Sequence, residues 1–188
     1  MPNYRYENVQ KGRLREHHQF GVECFGAPTP ATDAEIISLA DTALKRLGIT
    51  EVKVHINSIG CPNCRPKYYD MLKGYLNQHK DCLCEDCLNR LDRNPMRILD
   101  CKQESCKKVA AYAPIALDYL CDDCREHFEK VKTYLDDMGI AYEIDTNIVR
   151  GLDYYTKTVF EFVSTNIGAQ GTICGGGRYD GLISPVSY

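Results

Sequence analysis

The feature that most limits how this chain can fold is the spacing of its cysteines. Nine of the eleven lie between Cys61 and Cys124. They form three CxxC pairs, Cys61/Cys64, Cys84/Cys87 and Cys121/Cys124, with Cys101 and Cys106 at slightly wider spacing and Cys82 left over. In a secreted chain this density would point to disulfides. The N-terminus carries no basic start followed by an apolar core, so a reducing compartment is expected, and there close thiol pairs favour metal. Structural zinc takes four thiolates, often as two close pairs. Eight cysteines make up to two such sites. In chain order the sets are Cys61, Cys64, Cys84 and Cys87, then Cys101, Cys106, Cys121 and Cys124; an interleaved pairing is also open. The competing reading is free buried thiols, packed as small apolar groups.

The rest of the chain reads as one ordinary globular domain into which this cysteine-rich segment is set. The 188 residues carry a net charge of −3, so any contact with nucleic acid must come from local patches. No stretch approaches the roughly 18 apolar residues of a membrane span, and a soluble intracellular protein is expected. Residues 1–56 and 139–188 form the main body in this reading, and residues 57–138 form an inserted, helical, cysteine-rich module. The module's basic residues, among them Arg65, Lys67, Lys73 and Arg90, are interleaved with acids.

Residues 3–26 read as two strands around the connection "QKGRL". Side chains alternate faces in a strand. Phe20, Val22 and Cys24 therefore share an apolar face meant for a core, while Gln19, Gly21 and Glu23 share the other. Arg5, Arg13 and Arg15 crowd the hairpin, and guanidinium donors match phosphate or carboxylate oxygens. A solvated charged loop is the bland alternative. Next, "TDAEIISLADTALKRLG" predicts a helix, opened by a Thr32/Glu35 capping box and stopped at Gly48. "EVKVHINS" follows as a strand, with His55 on the polar face, most simply as a hydrogen-bonded or exposed group. "AYEIDTN" and "KTVFEFV" are further strands, and "GTICGGGRYDGLI" reads as a strand running into a glycine turn.

Two more stretches carry chemistry. "NIVRGLDYYTKTVFEF" places Arg150, Tyr154 and Tyr155 just ahead of a strand. The arginine suits an anionic oxygen, and the tyrosines offer a hydroxyl and a ring face in a half-buried cleft. "GGGRYDGL" lets a ligand approach the main chain, but no Gly-Lys-Ser/Thr follows, so it is not a Walker-type phosphate loop.

Taken together, these stretches resemble a known family. "RYENVQKGRLREHHQFGVE" resembles motif 2 of class II aminoacyl-tRNA synthetases, in the form seen in the histidyl-tRNA synthetases. "VRGLDYYTKTVFEF" and "ICGGGRYDGL" resemble the two histidine-specific signatures of the same family, and all three stand in the family's order. The resemblance covers residues 3 to 183 and implies an α+β fold: a class II synthetase-type antiparallel sheet with helices, plus the inserted module.

The resemblance further implies activation of L-histidine by ATP with Mg²⁺, followed by transfer to tRNA(His), in the cytoplasm and in a homodimer. It implies that Arg5 binds the α-phosphate and that Arg150 contacts both the α-phosphate and the substrate carboxylate. Gln19 is then expected near the histidine α-amino group. Glu23 and Tyr155 are expected at the two imidazole nitrogens, with Tyr154 beside them. Glu7 and Arg13 fall on the ATP side. In that family the insertion sits near the tRNA acceptor arm. At His17 the family commonly has phenylalanine, so the adenine-stacking contact is where this sequence departs. Motif 1, motif 3 and the anticodon-binding domain are not found in the 188 residues, so this length alone is expected to be a catalytically silent piece of a longer enzyme. Two rival readings are a non-catalytic, synthetase-like regulatory paralogue of histidine biosynthesis, and a zinc-stabilised nucleic-acid-binding module.

Overall fold

A computed structural model describes residues 2–6, 9, 14–150, 154–164 and 171–182. Its main body is a four-stranded sheet in the order β4-β3-β5-β6, built from β3 (Val52–Ser58), β4 (Tyr142–Ile144), β5 (Thr156–Ser164) and β6 (Thr172–Arg178). β3 pairs antiparallel with β5, and β5 antiparallel with β6, while β3 and β4 run parallel. The fold is α+β with an antiparallel-dominated sheet, as expected. The one parallel pair requires a crossover, and a helix supplies it.

That helix is α5 (Asp122–Asp137), and it packs with α1 (Pro30–Arg46) on one face of the sheet. Alternation explains the shared core. Val54 and Ile56 from β3 and Phe160 and Phe162 from β5 point to the same side, where they meet Ala34 and Ile37 of α1 and Phe128, Val131 and Leu135 of α5. Both helices stop the same way. Gly48 (φ +76°) and Gly139 (φ +67°) take the left-handed conformation, and the next amide reaches back to the carbonyl five residues earlier, Ile49 to Leu44 and Ile140 to Leu135. The start of α1 differs from the capping box expected. Pro30 opens the helix after Thr29, whose φ of −83° and ψ of 151° are extended, and no side chain caps it.

The segment 57–138 does not pack as one unit. α2 (Arg65–Gln78), α3 (Glu85–Arg93) and α4 (Glu104–Ala110), joined by short 3-10 turns, enclose a second core of Tyr68, Leu72, Leu76, Leu91, Ile98 and Val109. Ile148, Val149 and Val159 of the main body are buried in that same core. α5, in contrast, belongs beneath the sheet.

The N-terminal hairpin is shorter than the sequence indicates. β1 (Pro2–Tyr4) and β2 (Glu16–His18) form a separate two-stranded sheet. Phe20 is 82% exposed and Val22 40%, so the expected core-facing row is not buried. Two paired strands alone enclose no core, and no described strand extends this pair.

Candidate functional site

The other face of the sheet carries the polar groups. Arg150 lies over β5 and β6, with Nη1 donating to Glu161 Oε1 at 2.9 Å, while Thr172 Oγ1 donates to the second oxygen at 2.8 Å. The Arg150 guanidinium carbon also lies 5.5 Å from the centre of the Tyr155 ring. Tyr155 and Tyr154 have ring centres 4.7 Å apart, and Tyr179 meets both edge-on at 6.2 and 5.9 Å. Burial and the neighbouring Tyr155 push the Tyr154 hydroxyl above its ordinary pKa; Arg150 opposes this and the charge of Glu23 adds to it. Tyr154 is therefore a neutral hydrogen-bond donor at physiological pH, with Glu23 within electrostatic reach.

The glycine run sits inside β6 and not in a turn after it, which corrects the expectation from sequence. Gly175 lies under the guanidinium: a Cβ there would stand 2.7 Å from Arg150 Nη1. A Cβ on Gly177 would stand 2.8 Å from the Thr158 carbonyl oxygen and 3.0 Å from Tyr155 Cδ1. The bare strand lets Arg150 and Tyr155 lie flat on the sheet.

Two residues overlooked in the sequence are structurally central, one beside this group and one at the α1 side of the sheet. Asn57, fully buried at the end of β3, donates through Nδ2 to the carbonyls of Thr146 (3.3 Å) and Ile148 (3.2 Å). It thereby fixes the approach to Arg150. Asp33 of α1 accepts from Arg178 Nη2 at 2.6 Å and from His127 Nε2 at 2.7 Å, joining α1, α5 and β6. Burial alone would raise the Asp33 carboxyl; the bonds from His127 and Arg178 outweigh it and hold the pKa below 3.8. An acid in the first turn of a helix and an arginine right after a glycine run were the available signals.

Among the expected residues, Arg150, Tyr154 and Tyr155 are brought together, with Glu23 at their edge. No described hydrogen bond or ion pair joins the side chains of Arg5 or Gln19 to them. Glu7 and Arg13 lie outside the described residues. His55 rests between two carboxylates, 3.5 Å from Asp145 Oδ2 and 3.8 Å from Glu143 Oε2.

Residues 2–187 match the family model for histidyl-tRNA synthetase. The chain belongs to the histidyl-tRNA synthetase family. It is 62% identical over 182 residues to a histidine–tRNA ligase of Caldanaerobacter subterraneus subsp. tengcongensis, covering 97% of this chain and 44% of that protein. A histidine–tRNA ligase of Acetivibrio thermocellus is 64% identical over 180 residues, covering 96% and 43%. The apo histidyl-tRNA synthetase of S. aureus superposes with a TM-score of 0.72 at 38% identity, over 96% of this chain and 42% of that one. The chain thus spans less than half the length of these synthetases.

Eight of the eleven cysteines of this family member assemble into two compact clusters, and the chain-order pairing is overturned. Cys61, Cys64, Cys121 and Cys124 form one; Cys84, Cys87, Cys101 and Cys106 form the other, with all four sulfurs of each within 4.8 Å of one another. In the first, Cys61–Cys64, Cys61–Cys121 and Cys64–Cys124 are 3.7, 3.8 and 3.9 Å apart. A tetrahedron of sulfurs about 2.3 Å from a zinc has edges of about 3.8 Å, so the donors fit that ion. The pairing is nested because α5 returns the chain to the start of the module. The sequence held a signal for it: Cys61/Cys64 and Cys121/Cys124 are each followed by arginine, whereas Cys84/Cys87 is followed by leucine. Arg65 Nη2 bonds the Gly60 carbonyl (3.2 Å) and Arg125 Nη2 the Leu120 carbonyl (3.3 Å), so the two knuckles repeat one arrangement.

Proposed function

We propose that this chain carries the histidine-binding part of a histidine–tRNA ligase, which activates L-histidine with ATP and Mg²⁺ and esterifies tRNA(His). The observation that carries the reading is the assembly of Arg150, Tyr154 and Tyr155 over the bare glycines of β6, with Glu23 within electrostatic reach. In this reading Arg150 receives the substrate carboxylate and the α-phosphate. Its Nε is buried and has no hydrogen-bond partner among the described residues. Tyr155 and Glu23 grip the two imidazole nitrogens, and Gln19 reaches the α-amino group. Arg5, with Glu7 and Arg13, serves ATP. Activation is attack of the carboxylate oxygen on the α-phosphorus with loss of pyrophosphate, and positively charged donors stabilise the charge that develops. The protein is expected to act as a homodimer in the cytoplasm; no helix among the described residues is long and apolar enough to cross a membrane. Both cysteine clusters are read as structural zinc sites. The regulatory-paralogue reading has less support, because the histidine-side groups stand together.

A hydroxyl and a carboxylate set a ring's width apart reject isosteric rings, because the wrong ring leaves buried polar groups unpaired. In the complete enzyme Tyr155→Phe should therefore lower kcat/KM for histidine about 10²-fold while leaving KM for ATP nearly unchanged. Equal kinetics for the variant and wild type would remove Tyr155 from the histidine pocket.

A further inference from the structure

The two cysteine clusters are not equivalent. The second lies wholly within the module, between α3 and α4. The first joins the two points where the chain leaves and re-enters the main body: Cys61 and Cys64 follow β3, and Cys121 and Cys124 open α5. It is also wired to the histidine site. Gly60 takes a left-handed φ of +70°, and a Cβ there would stand 2.7 Å from Cys64 Sγ, so the sulfur occupies space only glycine leaves open. The Gly60 carbonyl accepts from the Lys157 amide at 2.9 Å, and the Ile59 amide donates to the Lys157 carbonyl at 2.9 Å. Lys157 itself is held at a φ of +50°, a strained conformation for a side-chain-bearing residue. Arg65, next to Cys64, then donates from Nη2 to the Tyr155 carbonyl at 2.6 Å. Three hydrogen bonds thus run from the Cys61/Cys64 knuckle to residues 155–157.

We infer that the Cys61, Cys64, Cys121 and Cys124 cluster, closed by a zinc ion, is a clasp that sets the position of Tyr155. The second cluster only staples the module's interior. Closing the clasp replaces four thiol protons, released to solvent, by one zinc ion. Arg65 is the positioning residue that transmits the clasp to the tyrosine. The inference rests on the histidine-site reading for the importance of Tyr155, but its test uses neither histidine nor ATP.

The chain purified without chelator should hold two zinc ions by elemental analysis. Cys121→Ser and Cys101→Ser should each lose one. Amide exchange at Ile59 and Lys157 should then rise roughly tenfold or more in Cys121→Ser and stay near wild type in Cys101→Ser. Arg65→Ala keeps all eight thiols, so it serves if Cys121→Ser does not fold. It should retain both ions and still speed exchange at Lys157, whereas Arg125→Ala should not. A wild type without zinc, a Cys121→Ser variant that loses none, equal exchange in the two cysteine variants, or an unchanged Lys157 in Arg65→Ala would each overturn the clasp. A clasp that survives alongside a Tyr155→Phe enzyme with normal histidine kinetics would leave the device standing and sink only the pocket assignment.

Discussion

Gly175 and Gly177 lie two residues apart on one strand, yet a methyl group would do different damage at each. At Gly177 it would strike a backbone carbonyl, which cannot swing away, so Gly177→Ala should cost about 1–3 kcal/mol in urea denaturation. At Gly175 the nearest atom is the tip of Arg150, which can move, and the backbone carbonyl oxygen of Phe160 stands further off at 3.2 Å. Gly175→Ala should therefore keep most of the stability but displace the guanidinium, lowering kcat/KM for histidine on the order of 10²-fold. Equal stability losses in the two variants would contradict this. His17 is a third case. It is half-buried in β2, opposite Asn3. A phenyl ring offers adenine a fully apolar face, so His17→Phe in the complete enzyme should leave ATP affinity equal or tighter; a marked loss would refute that. Residue identity was the most legible level in the sequence. Arg150, Tyr154 and Tyr155 are adjacent along the chain, so local order alone nearly assembles them. Asn57 was not legible, because its worth comes from two carbonyls some 90 residues away.

Among the elements, α1, α5 and β6 meet at one buried ion cluster. Arg178 and His127 are 6% exposed at their side chains, and the carboxyl of Asp33 between them 9%. Removing the carboxylate leaves the arginine's charge buried with only carbonyls and Asp180, so Asp33→Ala should destabilise by about 3 kcal/mol. The pH dependence follows from the sign of the shift. The folded pKa lies below the ordinary 3.8, so this contribution is complete above about pH 4 and is lost as pH falls through the folded value. Acid titration of stability should show that loss in the wild type and not in Asp33→Ala; parallel curves would count against it. Helices and strands were readable from period, and the glycine stops of α1 and α5 obeyed it. The placement of α5 was not: its apolar stripe says that it packs, but only the parallel β3–β4 pair dictates against what. The nested cysteine pairing follows from the same return path.

For the molecule as a whole, the module and the main body share buried residues, and Tyr155 packs against that shared core. The antiparallel-dominated sheet was implied by the family resemblance, whereas the exposure of Phe20 and Val22 was not foreseen, since alternation marks a face for burial without saying what covers it. The central claim, that this surface recognises histidine for activation, is tested most directly by exchange of labelled pyrophosphate into ATP by the complete enzyme. Exchange should depend on L-histidine and should fall by at least about 10²-fold in Arg150→Ala, because we propose that its guanidinium holds the reacting carboxylate. Exchange that proceeds equally without histidine, or that is untouched by Arg150→Ala, would contradict the account.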